Sequence, residues 1–255
     1  SERFDKGHQW GFFPSLGCAW IVSKESFLAD TSKWLSFLKL RFSWGQVGND
    51  GVIDKPRFTH LPVISESETT DPRPNRDMGN RYYVASYPNS KIKWEVAEQL
   101  NLGVETKFFS GLLELNADIY QEIRHNIIDY RITMPATMGL EEYQLANVGK
   151  VRSRGIDLAG KIQHAFSNDF WIILNGTFTY SKAVYKKIEE AVDKPEWQMR
   201  KNHEISQAIG YIAEGLFRDQ AEIDNSPVQG GDVMPGDIRY RDLNRDGVID
   251  VSDAT

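Results

Sequence analysis

The chain predicts an all-β fold of antiparallel strands, on three observations. Apolar and polar residues alternate with period two over six segments, the spacing that puts every second side chain on one face of a strand. Tight turns and long excursions alternate as connections between these segments, while helical periodicity is scarce. Aromatic residues collect beside the tight turns.

The first strand sets Leu16, Cys18, Trp20 and Val22 against Ser15, Gly17 and Ala19. A moderate connection, 23–36, leaves room for a helical turn near residues 25–28. The second strand sets Leu38, Leu40, Phe42 and Trp44 against Lys39, Arg41 and Ser43. Residues 48–93 follow, rich in Asp, Ser, Thr and Pro (Pro56, Pro62, Pro72, Pro74), which is loop composition. The third strand opposes Leu100, Leu102, Val104 and Phe108 to Gln99, Asn101, Glu105 and Lys107. Ser110-Gly111 suits a hairpin turn into the fourth, where Leu113, Leu115, Ala117 and Ile119 alternate with Glu114, Asn116, Asp118 and Tyr120. A second excursion covers 124–154. In the fifth strand Ile156, Leu158 and Ile162 oppose Asp157, Lys161 and Gln163, before a turn at Ser167-Asn168-Asp169. The sixth turns Phe170, Ile172, Leu174, Phe178 and Tyr180 away from Asn175, Thr177 and Thr179.

Short turns at one rim and long loops at the other suit an antiparallel transmembrane β-barrel. Aromatics at the turns (Trp34, Phe37, Phe108, Phe109, Phe166, Phe170, Trp171) suit its interfacial girdle. From Phe170 to Tyr180, ~3.4 Å per residue at ~45° tilt gives roughly 24 Å, the height of the apolar band. A soluble β-sandwich alternates as well, with its apolar face against a partner sheet. Alternation alone leaves both architectures open.

Composition removes several functions. The net charge is −6, and residues 1–210 balance at 26 acidic and 26 basic groups, so the excess lies in 211–255, with 10 acidic and 4 basic. That is no nucleic-acid footprint. Lone Cys18 excludes an intrachain disulfide framework and is expected to be a small packed residue. No run is long and apolar enough for a membrane helix. The two ends read as cuts from a longer protein.

Near the C-terminus, Asp242, Asn244, Asp246, Asp250 and Asp253 bear side-chain oxygens at loop positions 1, 3, 5, 9 and 12, with the Val248 carbonyl at position 7. Gly247 permits the sharp turn and Ile249 would anchor the loop in a core. A hard cation such as Ca²⁺ takes six to eight oxygens, and this spacing supplies most of them. Asp253 reaches less far than the usual glutamate. The competing reading is a solvated polar turn. No nucleotide loop, CxxC or paired-histidine motif occurs, and His8, His60, His125, His164 and His203 are scattered singly. Adjacent Glu141 and Glu142 read as a solvated pair rather than as catalytic carboxylates. Asn175-Gly-Thr177 fits a glycosylation acceptor but falls in a strand. No enzyme is expected.

Longer strings carry a resemblance. Residues 3–15 (RFDKGHQWGFFPS) and 38–50 (LKLRFSWGQVGND) resemble the SusC/RagA family of TonB-linked outer-membrane transporters. So do Trp94-Glu95, 101–105 (NLGVE), 118–120 (DIY), 147–151 (NVGKV) and 155–157 (GID). Gly210-Tyr211, 214–217 (EGLF) and 235–240 (PGDIRY) continue the match into the cation-type loop. The resemblance implies an arc of a large plugged barrel in the bacterial outer membrane, in contact with lipid. Residues 1–180 would be wall strands with short periplasmic turns and long outer loops, and 181–255 an acidic extracellular region. It further implies uptake of oligosaccharide or oligopeptide with a SusD-like lipoprotein and the TonB complex, through a plug that these residues do not include. Lys39, Arg41, Glu105, Lys107, Glu114, Asp118, Asp157 and Lys161 would then face the lumen. Trp10, Tyr82, Tyr83, Tyr87, Tyr143 and Trp197 would be loop aromatics able to stack on a solute. The rival expectation is a soluble calcium-binding β-sandwich, a carbohydrate-binding module with a dockerin-like loop.

Overall fold

The computed structural model describes residues 1–255 except 51–57, 59, 68–80, 136 and 138–142, together with the side chains of 29–32, 67, 81 and 86. Glu141, Glu142, Pro56, Pro72 and Pro74 lie outside the described residues. Two compact units divide the chain, Ser1–Glu189 and Glu190–Thr255.

In the first unit the strands are β1 (Ser15–Trp20), β2 (Leu35–Asn49), β3 (Val63–Ser67), β4 (Arg81–Ser86), β5 (Glu95–Phe108), β6 (Leu113–Tyr130), β7 (Leu145–Ala165) and β8 (Trp171–Lys187). A six-stranded antiparallel meander takes the order β1-β2-β5-β6-β7-β8, while β3 and β4 form a separate hairpin within the β2–β5 connection. All six expected strands are present, and most are longer than the apolar alternation that announced them. β1 is the exception. It ends at Trp20, and Val22 is buried in a 3-10 turn instead of extending the strand. A second 3-10 segment, Ser26–Lys33, completes that connection.

Pairing register explains why the alternation matters. One row across the sheet runs Cys18–Phe42–Leu102–Ile119–Ile156–Tyr180, and the next runs Trp20–Leu40–Val104–Ala117–Leu158–Phe178. A period of two locks such rows in place, since a one-residue slip would swap the faces. The apolar face is left bare: Ile119 is 58% exposed, Phe178 58% and Leu174 60%. A β-sandwich would cover these residues with a second sheet. Among the described residues the other sheets are two-stranded, of two to six residues per strand, and too small for that task. The soluble sandwich is therefore not the reading this fold favours. Cys18, expected to be packed, is exposed on the same face opposite Phe42.

Both hairpin turns form where turn chemistry placed them. Phe109, Ser110 and Gly111 adopt φ of 50°, 58° and 95° between β5 and β6. Phe170 O accepts from Phe166 N (2.9 Å) and Ser167 N (3.1 Å) between β7 and β8. Aromatic rings gather at this rim: Trp34 stacks on Phe108 at 6.0 Å, and Phe166 lies 5.5 Å from Phe170. At the other rim a small core of Phe4, Ile92, Ile128 and Leu145 packs with Trp94. Phe4 and Phe13 bring the N-terminal string onto Trp94, at ring distances of 5.4 and 5.5 Å.

In the second unit, β9 (Ala213–Leu216) pairs with β11 (Ile238–Tyr240), and β10 (Val228–Gln229) pairs in parallel with β12 (Val248–Ile249). The helix α1 (Gln220–Asp224) is capped by Asp219, whose carboxylate accepts from Glu222 N. Phe217 and Ile249 are buried here.

Candidate functional site

The polar face of the large sheet carries a connected set of charges, and the strings that resembled a transporter family meet on it. Register places Arg41 beside Gly103, Gly103 beside Asp118, and Asp118 beside Asp157. The adjoining row is Ser43–Asn101–Tyr120–Gly155–Ser181. Residues distant in sequence thus form one patch because their strands pair in a single register.

Two glycines shape this patch. Arg41 on β2 reaches Asp118 on β6, two strand spacings or about 9.6 Å away. Its Nη2 donates to both carboxylate oxygens, at 3.0 and 3.1 Å. The bridge passes over Gly103, where a Cβ would lie 2.6 Å from Asp118 Oδ1 and 2.9 Å from Arg41 Nη2. A side chain at 103 would push the guanidinium and the carboxylate off that path. Arg41 Nε also sits 2.7 Å from Glu105, which receives Lys39 at 3.3 Å. On the neighbouring strand pair, the Tyr120 ring covers Gly155, so that a Cβ there would meet Cζ at 2.3 Å. Lys107 pairs with Glu114 at 3.1 Å. The charges at 39, 41, 105, 107, 114, 118, 157 and 161 all fall on this face, and most are half-exposed. Such pairs contribute little stability each. Their effect is to keep a hydrated, ordered surface of mixed sign.

Bulges and clamps at the loop-bearing rim had no signal in the alternation. Asn126 has φ 57° and breaks the β6–β7 register between His125 and Ile127. Asn147 Nδ2 donates to Asn126 O (2.6 Å) and to Lys93 O (2.8 Å), while its Oδ1 accepts from Lys93 N (3.0 Å). Of the loop aromatics, Trp10 is 92% exposed, and Tyr82, Tyr87 and Tyr143 are exposed too. Trp197 donates its indole N–H to Ser252 O at 2.9 Å.

The C-terminal loop brings its six named residues together, with the five polar side chains turned onto backbone N–H groups. Asp242 accepts from Arg245 N and Gly247 N, Asn244 from Asp246 N, Asp246 from Val248 N, and Asp250 from Ser252 N. Asp253 is fully buried and accepts from Leu243 N (2.8 Å), Asn244 N (3.3 Å) and Asp250 N (3.0 Å). Gly247 takes φ 85°, as the sharp turn requires. The loop is closed by its own hydrogen bonds, and among the described residues no three His, Cys, Asp or Glu side chains converge as a metal cluster.

Comparison with known proteins gives these features a setting. Residues 2–248 match the model of the "TonB dependent receptor-like, beta-barrel" family. TonB-dependent receptor P3 of Formosa agariphila is 24% identical over 99% of this chain and 26% of its own length. TonB-dependent receptor SusC of Bacteroides thetaiotaomicron is 25% identical over 99% of this chain and 25% of its own. The chain therefore spans about a quarter of the length of these relatives. In fold it resembles the RagAB peptide importer in its closed-closed state, with a TM-score of 0.72 and 19% identity over 100% of this chain and 26% of that one. The open-open state gives 0.69 at 18% identity, with the same coverage. With a bare apolar face, a charged face opposite and a family match along nearly its whole length, the chain belongs to the TonB dependent receptor-like β-barrel family, as wall sequence of an outer-membrane barrel similar to SusC and, in fold, to the RagAB importer.

Proposed function

We propose that this chain is part of a SusC-like importer that takes up oligosaccharide or oligopeptide across the outer membrane, together with a SusD-like surface lipoprotein and driven by TonB. The observation that carries this reading is the two-faced sheet. Its bare apolar rows suit acyl chains, and its ion-paired rows suit a water-filled lumen. The tight turns then face the periplasm, while the β2–β5 and β6–β7 connections and residues 190–255 face outward. No bond in the solute is made or broken; the wall guides and the energised plug releases.

Uptake by the source bacterium tests this directly. Cells lacking the gene are expected to lose import of one labelled class, oligosaccharide or oligopeptide, and wild-type cells to lose the same import when the proton gradient is collapsed. Undiminished uptake of both classes in the deletion strain would refute it. Pull-down of the intact protein in mild detergent is expected to bring a surface lipoprotein with it.

We also propose that the loop bearing Asp242, Asn244, Asp246, Val248, Asp250 and Asp253 takes Ca²⁺ as a structural ion. Its oxygen spacing and the Gly247 turn support this. Since the loop already closes on its own backbone, the ion would stiffen it rather than create it. Calcium titration is expected to raise the melting temperature by a few degrees, and Asp246→Ala to abolish the rise. An unchanged wild-type melting temperature would leave the loop a self-capped turn.

A further inference from the structure

Midway along the charged face runs a strip without ion pairs, the row Ser43–Asn101–Tyr120–Gly155–Ser181 across β2, β5, β6, β7 and β8. At ~4.8 Å between neighbouring strands it is roughly 19 Å long. The row below holds the Arg41–Asp118 bridge. In the row above, Glu122 accepts from Gln99 at 2.9 Å, and it also receives Arg124 at 3.1 Å. Tyr120 gives the strip its shape. Its ring lies over Gly155, where a Cβ would meet Tyr120 Cζ and Oη at 2.3 Å. The missing Cβ thus lets an aromatic ring rest against the sheet with its far face toward the lumen. Ser43 and Ser181 are exposed, while Asn101, Tyr120 and, one row down, Asp157 are half-buried. Among the described residues, the Ser43 and Tyr120 hydroxyls, the Asn101 amide and the Asp157 carboxylate make no side-chain hydrogen bond. Ser181 Oγ lies 3.4 Å from Ser153 Oγ.

We propose that this strip is a binding subsite for a neutral oligosaccharide in the lumen, with a sugar ring on Tyr120 and sugar hydroxyls on Ser43, Asn101, Ser181 and Asp157. The inference rests on the importer reading above and deepens it, selecting oligosaccharide over oligopeptide. An aromatic ring presents a flat apolar face of negative potential, which suits the positively polarised C–H groups of a pyranose. Hydroxyls and a carboxamide both donate and accept, as sugar hydroxyls do. A carboxylate only accepts, so Asp157 takes sugar hydroxyls and repels an acidic solute. A peptide main chain is bound by adding to a free strand edge, and β5, β6 and β7 are paired on both sides. Each contact is half-exposed and therefore weak. That suits a solute which must enter the strip and also leave it.

The test follows uptake by the source bacterium with the intact gene in place. Cells receive short neutral oligosaccharides from starch, cellulose, mannan, xylan and fructan, mixed with tryptic casein peptides of matched mass. Depletion of each from the medium is read by mass spectrometry, and surface abundance of every variant is measured alongside. Deleting the gene is expected to abolish uptake of at least one of these oligosaccharides and of no peptide. Tyr120→Leu is expected to lower that uptake by about fivefold below saturation, whereas Tyr120→Phe keeps most of it, since stacking needs the ring and not the hydroxyl. Asn101→Ala is expected to raise the half-saturating concentration roughly threefold with an unchanged maximal rate, which a merely structural role would not produce. Loss of peptide uptake alone in the deletion strain would overturn the sugar subsite while leaving the importer standing. Undiminished uptake of both classes would overturn the importer and the subsite together. Wild-type uptake by Tyr120→Leu at normal surface abundance would refute the subsite. Should Tyr120→Leu fail to reach the surface, the Asn101→Ala kinetics decide the matter alone.

Discussion

Gly103 shows how a single missing side chain organises the charged face. Its absence of Cβ lets Arg41 span β5 to Asp118. Gly103→Ala should displace that bridge and cost no more than about 1 kcal/mol, because the added carbon meets only the flexible ends of the Asp118 and Arg41 side chains. Thermal unfolding of the detergent-solubilised protein would measure it, and an unchanged midpoint would show the bridge to be incidental. Gly155 has the same relation to the Tyr120 ring. In the sequence both glycines are visible only as gaps in alternating strands; what crosses them depends on register, which no local pattern states. Asp253 makes a comparable point for the acidic loop. Burial pushes its carboxyl up, yet donation from Asp250, Leu243 and Asn244 outweighs burial and holds it below the ordinary aspartate range. Glu190 behaves likewise, burial opposing donation from Arg200 N, Lys194 and Lys201 N. A carboxyl depressed by folding adds stability above its unfolded pKa and loses that contribution as pH falls through the folded value. Protection factors for the amides of Leu243, Asn244 and Asp250, taken against the intrinsic rate at each pH, should therefore be high at neutral pH and fall as pH drops below about 4. Equal protection factors at pH 7 and pH 3 would contradict this.

Strands were legible where one face meets oil and the other water, and their ends were not. β2 extends from Leu35 to Asn49 although clean alternation covers only residues 38–44, and β7 spans 21 residues. At ~3.4 Å per residue and ~45° tilt, β7 rises roughly 48 Å, about twice the apolar band. Beyond the band both faces meet water, so the ladder continues without any hydrophobic period to announce it. The β3–β4 hairpin stayed hidden for the same reason, being short and set in a loop-like composition. Where the oil-facing pattern stops, hydrogen-bonded clamps take over. Asn147 ties β7 to the Asn126 bulge and to the Lys93 backbone with three bonds. Asn147→Ala would leave the half-buried Asn126 carbonyl without this donor and turn the exposed Lys93 backbone over to water, an effect of about 1 kcal/mol confined to this rim. Faster amide exchange at Lys93 with unchanged exchange along the middle of β6 is the expected outcome. Uniform acceleration across the sheet would instead mean that the clamp supports the whole arc.

At the scale of the molecule, an arc of wall carries two open edges that a closed barrel would pair. β1 and β8 end the strand order, and β8 offers 17 residues of ladder on one side. Lysines at 182, 186 and 187 blunt only its upper part. The lower part of that edge runs through Ile172, Leu174 and Phe178, whose side chains are exposed. Long exposed edges with apolar side chains template pairing with other chains, and a contiguous apolar face of this extent calls for lipid or protein cover. The 255-residue chain produced alone should therefore aggregate in plain buffer and disperse only in detergent. Circular dichroism in detergent should show antiparallel β content, and sedimentation without it should show large, heterogeneous species. A monodisperse monomer in buffer with native β content would mean that the leucine and phenylalanine rows find cover within the chain. That result would withdraw the lipid assignment from the apolar face, and with it the lumen assignment from the ion-paired one, since each face owes its reading to the other.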